Sequence, residues 1–127
     1  MYTFNMTEKA VVLAIDDKVE VLMGISEILN GDYDVRAVKN AAAAMSLLRA
    51  EKVDLVILDI DMPILSGFDL FTYIRRNNDV HKIPIVFITA LTDPDVIKKA
   101  HDFNAEGFIT KPFTAEILRR KIQSILS

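Results

Sequence analysis

Five short apolar runs alternate along the chain with longer stretches whose apolar residues have helical spacing. The runs cover residues 10–15, 33–38, 54–58, 84–88 and 107–110. They have the length of strands and many β-branched residues, and the first, third and fourth are apolar nearly throughout, which is typical of strands buried on both faces. Between the runs, apolar residues recur every three or four positions, as at Val19, Leu22 and Ile25. The alternation predicts an α/β fold of the (βα)5 type, a doubly wound five-stranded parallel sheet in a flavodoxin-like three-layer sandwich.

Capping residues support these boundaries. The pair Asn30-Gly31 is suited to end the first predicted helix, because glycine readily adopts the backbone conformation that follows a helix. Asp93 followed by Pro94 has the pattern of a helix start, and Thr114 can cap the last helix.

The length and composition fit one domain. A chain of 127 residues with 51% apolar residues can bury one core, so we predict a domain over residues 10–127 after an N-terminal extension at residues 1–9. The net charge of −3 is small, and contact with nucleic acid by this chain alone is not expected. The absence of cysteine excludes disulfides and thiolate chemistry. Neither a signal sequence nor a run long enough to span a membrane is visible, which predicts a cytoplasmic protein without membrane contact.

Polar residues stand where the predicted strands end. Four of the five strands end in such residues, namely Asp16 and Asp17, Asp59, Thr89, and Thr110 with Lys111, and Ala90 and Pro112 stand beside them. The carboxyl ends of parallel strands share one edge of the sheet, so three carboxylates, a hydroxyl and an ammonium should converge there. Two carboxylates about 4 Å apart repel by about 4 kcal/mol at an effective dielectric of 20, which calls for a cation. Oxygen ligands suit Mg²⁺, with Mn²⁺ as an alternative, whereas the two histidines do not form a zinc set.

Each of these residues also has an ordinary explanation. An acidic pair after a strand is most often a turn or a helix cap, and a lysine before proline is usually a solvated loop residue. Their common place at one sheet edge favours a joint role. A metal-bound carboxylate beside a lysine and a hydroxyl can accept a phosphoryl group, with Asp59 as nucleophile, Lys111 neutralising the phosphoryl oxygens and Thr89 donating a hydrogen bond.

Four motifs together carry a family resemblance that covers residues 10–126. They are the acidic pair Asp16-Asp17, Asp59 followed by Met62-Pro63 and Gly67, Thr89-Ala90, and Lys111-Pro112-Phe113. With these motifs the sequence resembles the receiver domains of two-component response regulators, the CheY-like family.

The resemblance implies a role for each matching position. Asp59 corresponds to the phosphoacceptor, Asp17 to a direct magnesium ligand, Asp16 to a ligand acting partly through water, and Asp61 to a ligand through its main-chain carbonyl. Lys111 would pair with the Asp59 carboxylate and then with the phosphoryl group, across a cis bond to Pro112, and Ala90 would leave space beside that group. The positions with structural roles are Pro63, Gly67 and Pro112. The implied partners are a sensor histidine kinase or phosphotransfer protein as donor, and a downstream output domain or target protein.

Thr89 and Phe108 match the family's switch pair, in which the aromatic ring turns inward when the hydroxyl is drawn to the phosphoryl group. The surface expected to change comprises the fourth helix, the fifth strand and the fifth helix of a protein that is monomeric before phosphorylation. Phe108 could equally be an ordinary core or surface aromatic. In the family that the sequence resembles, the positions of Asp61 and Leu91 vary and affect the lifetime of the acyl phosphate, and the sequence leaves that lifetime open.

Two other functions compete with this one. The segment from Asp59 to Met62 also fits the DxD motif of haloacid-dehalogenase-like phosphatases, but in those enzymes the DxD strand comes first, whereas here Asp16 and Asp17 precede Asp59. A pseudo-receiver, which binds partners without phosphorylation, usually lacks an aspartate or the lysine, and all of them are present here. We therefore predict a phosphorylated signalling receiver rather than an enzyme with a turnover substrate.

Overall fold

Strands and helices alternate strictly in the structure, a computed structural model that describes residues 8–90 and 92–127. Residues 1–7 of the predicted extension and Leu91 lie outside these ranges. The strands are β1 (Val11–Ile15), β2 (Asp34–Val38), β3 (Leu55–Asp59), β4 (Ile85–Thr89) and β5 (Gly107–Thr110). The helices are α1 (Val19–Leu29), α2 (Ala41–Ala50), α3 (Gly67–Arg76), α4 (Pro94–Asp102) and α5 (Ala115–Leu126). None of the helices within these ranges combines the length and apolarity needed to cross a membrane.

The five strands form one parallel sheet in the order β2-β1-β3-β4-β5. The chain leaves β1 toward β2 and returns past it to β3, so the direction of winding reverses between β1 and β3. This is the predicted doubly wound (βα)5 fold. The crevice at such a reversal, outside the carboxyl ends of the strands, is where ligands bind in folds of this kind.

Four of the five strands begin or end one residue away from the predicted positions. Asp59 and Thr89 are the last residues of β3 and β4 rather than the first residues after them, because Asp59 pairs with Ile88 and Thr89 with Thr110 in the parallel ladder. The predicted first residues of β1 to β4 precede those strands instead. Differences of this size do not move any site residue away from the carboxyl edge.

Apolar side chains pack against both faces of the sheet. Leu13 and Leu58 point into a core covered by α2, α3 and α4, whereas Val12 and Ile57 point into a second core covered by α1 and α5. Successive residues of a strand face opposite sides, so a strand covered on both faces must be apolar at every position. This explains the continuous apolar runs of β1, β3 and β4.

The helix ends follow the predicted caps and add two others. Gly31 follows α1 with φ +136°, Asp93 accepts a hydrogen bond from the Asp95 N–H at 2.9 Å, and Thr114 accepts one from the Ile117 N–H at 3.1 Å. At the start of α2, Asn40 accepts a hydrogen bond from the Ala43 N–H. At the start of α3, Ser66 forms a reciprocal capping box with Asp69.

Candidate functional site

Three carboxylates meet at the carboxyl edge of the sheet. Asp16 and Asp17 directly follow β1 and Asp59 ends β3, and one carboxylate oxygen from each lies within 4.8 Å of the others. The two strands are neighbours in register, with Ile15 opposite Leu58, so the next residues Asp16 and Asp59 are brought side by side. Asp16 is 0% and Asp59 1% exposed, whereas Asp17 is partly exposed. The cluster is therefore buried on the sheet side and accessible beside Asp17.

Lys111 follows β5, the edge strand of the sheet, and its side chain reaches this cluster. Its ammonium nitrogen lies 2.6 Å from Asp16 Oδ2 and 3.4 Å from Asp59 Oδ1, and its side chain is 12% exposed. The backbone N–H of Lys111 donates to the carbonyl of Thr89 at 2.8 Å, which fixes the start of the loop after β5 against β4. The peptide bond from Lys111 to Pro112 is cis, as the resemblance implied.

One buried oxygen of Asp59 has no hydrogen bond of suitable geometry in the described part of the chain. Within residues 8–90 and 92–127, no hydrogen bond of suitable geometry reaches Asp59 Oδ2, although that atom is inaccessible to solvent. Asp16 Oδ2 also has no hydrogen bond of suitable geometry, but it contacts the Lys111 ammonium, and Asp16 Oδ1 accepts the Lys18 N–H at 2.9 Å. Leaving a buried carboxylate oxygen unpaired is costly, because desolvation is not compensated.

The donor set fits a hard divalent cation. Three carboxylates, among them Asp59 with its unpaired oxygen, offer the oxygen ligands that Mg²⁺ or Mn²⁺ prefers. The buried ammonium of Lys111 does not balance their combined negative charge. Asp61 follows in the loop between β3 and α3 with its side chain exposed to solvent. Its main-chain carbonyl as a further ligand remains a prediction.

The environment of Asp59 disfavours its ionised form. Burial, followed by the nearby charge of Asp16, raises the pKa of Asp59 to about 6, while the charge and hydrogen bond of Lys111 and the nearby backbone N–H of Asp61 act in the opposite direction. A cation bound by the same carboxylate would favour ionisation.

Gly67 lies directly behind Asp59. A Cβ atom at this position would stand 2.3 Å from the carbonyl oxygen of Asp59 and 2.8 Å from the Cα of Ile60, and the Gly67 N–H donates to the Ile60 carbonyl at 2.9 Å. Only glycine permits this approach of the first turn of α3 to the end of β3. Pro63 lies in the exposed part of the connecting loop, next to Ile64, which has φ 71°.

A family model described as the response regulator receiver domain matches residues 12–123 of this chain. The chain belongs to this family. Its carboxyl-edge cluster of acids and lysine therefore sits in a receiver domain, as the four motifs indicated.

Several known proteins resemble this chain over most of its length. The chemotaxis protein CheY of Pseudomonas aeruginosa is 28% identical, with 90% of this chain and 94% of that protein covered. The crystallised chemotaxis protein CheY4 of Vibrio cholerae is 28% identical and superposes with a TM-score of 0.85, covering 93% of this chain and 99% of that one. A probable cyclic di-GMP phosphodiesterase of Vibrio cholerae is 26% identical over 99% of this chain, which spans only 29% of that larger protein.

The predicted switch residues of this receiver lie on β4 and β5. Thr89 is buried at the end of β4, and Ala90 is the exposed residue that follows it. Phe108 is half-buried at the margin of the core under α4, and its ring stacks on His101 of α4, with centroids 5.4 Å apart and an interplanar angle of 21°. The ring of Phe108 thus contacts α4 rather than the acidic cluster in this state.

Lys18 is a member of the cluster that the sequence analysis missed. Its ammonium lies 3.4 Å from Asp17 Oδ1, and the pKa of Lys18 is raised, first by that hydrogen bond and then by the charges of Asp17, Asp59 and Asp16. A lysine after an acidic pair is an unremarkable surface residue in sequence. Its only available signal was adjacency to two residues already assigned to the site.

Proposed function

We propose that this receiver accepts a phosphoryl group on Asp59 from a histidine kinase or phosphotransfer protein, in a reaction that requires Mg²⁺, and that the modification switches a partner-binding surface. The observation that carries the proposal is the buried, unpaired Asp59 Oδ2, which lies in a cluster of three acids with a lysine ammonium on the other oxygen of the same carboxylate.

The chemistry is the transfer of a phosphoryl group from a donor nitrogen to a carboxylate oxygen. An oxygen of ionised Asp59 attacks phosphorus, the new P–O bond forms, and the bond from phosphorus to the donor histidine breaks with its electron pair left on the imidazole. Asp16, Asp17, Asp59 and the main-chain carbonyl of Asp61 would hold Mg²⁺, which when bound supplies charge neutralisation for the transferring group.

The remaining groups stabilise the product. The ammonium of Lys111 lies 3.4 Å from Asp59 Oδ1. Because this distance is short, the ammonium can move from the carboxylate to a phosphoryl oxygen without leaving the cluster. The hydroxyl of Thr89 is the proposed hydrogen-bond donor from the end of β4, and Ala90 adds no bulk beside it. Pro112 and Gly67 hold the lysine loop and α3 in place behind these groups.

Phosphorylation is proposed to act by changing the relative populations of two conformations of the protein. A phosphoryl group adds about −1.5 to −2 charges, and it can bias the protein only through contacts that differ between two states. Movement of Thr89 toward that group would free space for the ring of Phe108 and thereby change the face formed by α4, β5 and α5. A downstream output domain or target protein would recognise that face.

We further propose that the protein acts in the cytoplasm as a signalling domain. It is monomeric before phosphorylation and makes no nucleic-acid contacts of its own. The receiver would comprise residues 10–127, preceded by the extension at residues 1–9.

The test is intact mass after incubation with acetyl phosphate and Mg²⁺. We expect the wild type to gain one phosphoryl group, and to gain none in EDTA or as Asp59→Asn. Asp61→Asn is the matched control, because it retains the main-chain carbonyl and should still be phosphorylated.

Two outcomes would contradict the proposal. Wild type that binds Mg²⁺ but gains no mass would indicate a pseudo-receiver. Repeated turnover of p-nitrophenyl phosphate would instead indicate a phosphatase.

A further inference from the structure

We infer that Lys18 competes with the divalent cation for Asp17 and thereby weakens the Mg²⁺ affinity of this receiver. The inference concerns the metal site of the proposed function and rests on that proposal. It assigns an affinity-setting role to a residue that lies outside the acids and the buried lysine.

The backbone fixes Lys18 beside both acids of the pair. Its N–H donates to Asp16 Oδ1 at 2.9 Å, and its carbonyl accepts the N–H groups of Val21 and Leu22 at the start of α1. The main chain of Lys18 therefore cannot move without disturbing Asp16 and the first turn of α1. From this fixed point the side chain reaches Asp17, where its ammonium lies 3.4 Å from Oδ1.

Two lysines divide the three carboxylates between them. Lys111 contacts Asp16 and Asp59, whereas Lys18 contacts Asp17, the acid that is accessible from outside. The ammonium of Lys18 therefore satisfies the carboxylate that Lys111 does not reach. A divalent cation that takes Asp17 Oδ1 as a ligand meets this positive charge at contact distance and must displace it.

The two lysines differ in how easily their ammonium groups can move out of the acidic cluster. The side chain of Lys18 is 52% exposed, so water can solvate its ammonium once it is displaced, whereas Lys111 is held within the cluster. Lys18 is thus the group that yields when the cation enters. Since its ion pair with Asp17 is broken in the metal-bound state, the pair stabilises only the metal-free state and lowers the affinity for Mg²⁺.

The test is Mg²⁺ affinity, measured by titrating the full chain with MgCl₂ and following backbone amide chemical shifts. We expect Lys18→Gln to bind Mg²⁺ about two- to fivefold more tightly than wild type, the range that one partly exposed ion pair supports. Lys18→Arg keeps the charge and should remain near wild type. The gain of Lys18→Gln should shrink at high salt, because salt screens exposed charges.

Lys82→Gln is the matched control, because it removes the same charge from an exposed residue before β4, at the opposite edge of the sheet. Wild type that binds Mg²⁺ while Lys18→Gln binds no more tightly than Lys82→Gln overturns this inference alone. Wild type that shows no Mg²⁺ binding overturns the metal requirement of the proposed function and this inference with it.

Discussion

Asp59 illustrates how a functional residue can oppose the stability of its own fold. Its pKa is about 6 in the folded protein and about 3.9 in an unfolded chain, so the folded state holds the proton more tightly. Ionisation of Asp59 therefore destabilises the metal-free fold as the pH rises from about 4 to about 6, and the full penalty persists above that window.

Replacing this carboxylate should stabilise the metal-free protein. The shift corresponds to about 3 kcal/mol at neutral pH, and Asn gives up the ion pair with Lys111, so we expect Asp59→Asn to raise the free energy of unfolding by about 1–3 kcal/mol at pH 7. The gain should narrow as the pH falls to 4, where wild-type Asp59 is protonated. Urea denaturation in EDTA at both pH values measures it, with the exposed Asp61→Asn as control. An equal gain at both pH values would contradict the assigned cause.

Some site residues could be predicted because strand order brings them to the site, and others could not because their place depends on the conformation of one side chain. Asp16, Asp59 and Lys111 follow from strand order alone, because any residue at the carboxyl end of a parallel strand reaches the same edge. Lys18 could not be predicted in this way, since its role depends on one side chain bending back to Asp17. The unpaired Asp59 Oδ2 likewise required coordinates, because it depends on which oxygen Lys111 contacts.

At the scale of elements, the contact of α3 with β3 controls the shape of the site. The first residue of α3, Gly67, lies against the backbone of Asp59 and Ile60, both buried. The sequence marked Gly67 as structural only through a family resemblance. The reason for glycine is the distance between two backbones, which no pattern in one sequence contains.

Gly67→Ala should therefore be destabilising. The added Cβ meets backbone atoms that cannot rotate away, so we expect a loss of about 1–3 kcal/mol in unfolding free energy, and weaker Mg²⁺ binding as Asp59 is displaced. The matched control is Gly24→Ala in α1, where a Cβ would meet no atom within 4 Å apart from its chain neighbours and the backbone of its own helix. That change should raise stability by about 0.5–1 kcal/mol through helix propensity. Chemical denaturation of both variants measures these changes in unfolding free energy. A Gly67→Ala protein as stable as wild type would refute the close contact.

At the scale of the whole molecule, the proposed switch is an equilibrium between two arrangements of the α4, β5 and α5 face. The stack of His101 on Phe108 belongs to the arrangement seen here, in which the ring lies under α4. A contact made in only one of two states biases the equilibrium toward that state.

His101→Ala should shift this equilibrium toward the phosphorylated arrangement. Aromatic pairs contribute about 0.5–1.5 kcal/mol, which corresponds to a change of about two- to tenfold in the population ratio. In the unphosphorylated variant, amide shifts across α5 should move along the line that joins unphosphorylated and phosphorylated wild type. Lys98→Ala, an exposed residue of the same helix, provides the control. Shift changes confined to the neighbours of residue 101 would show that the stack does not bias the switch.

The whole fold was predictable because the sequence signals for it are distributed along the chain. Five apolar runs and the caps at Asp93 and Thr114 each pointed to the same alternation, so errors of one residue at strand ends had no effect on the topology. The pairing of His101 with Phe108 lacked such redundancy, since it rests on one contact between a helix and an edge strand.

The order of the site residues along the chain has a consequence for synthesis. All three carboxylates precede the lysine that neutralises two of them, and Lys111 stands 52 residues after Asp59. On the ribosome, the first three strands are complete while the fifth is still missing. A nascent chain that pairs β1 with β3 at that stage brings Asp16 beside Asp59 with no ammonium from β5 to oppose their repulsion. We therefore expect the pair of β1 and β3 to reach its full stability only when the segment that contains Lys111 has been translated, or when a divalent cation from the surroundings takes the place of Lys111.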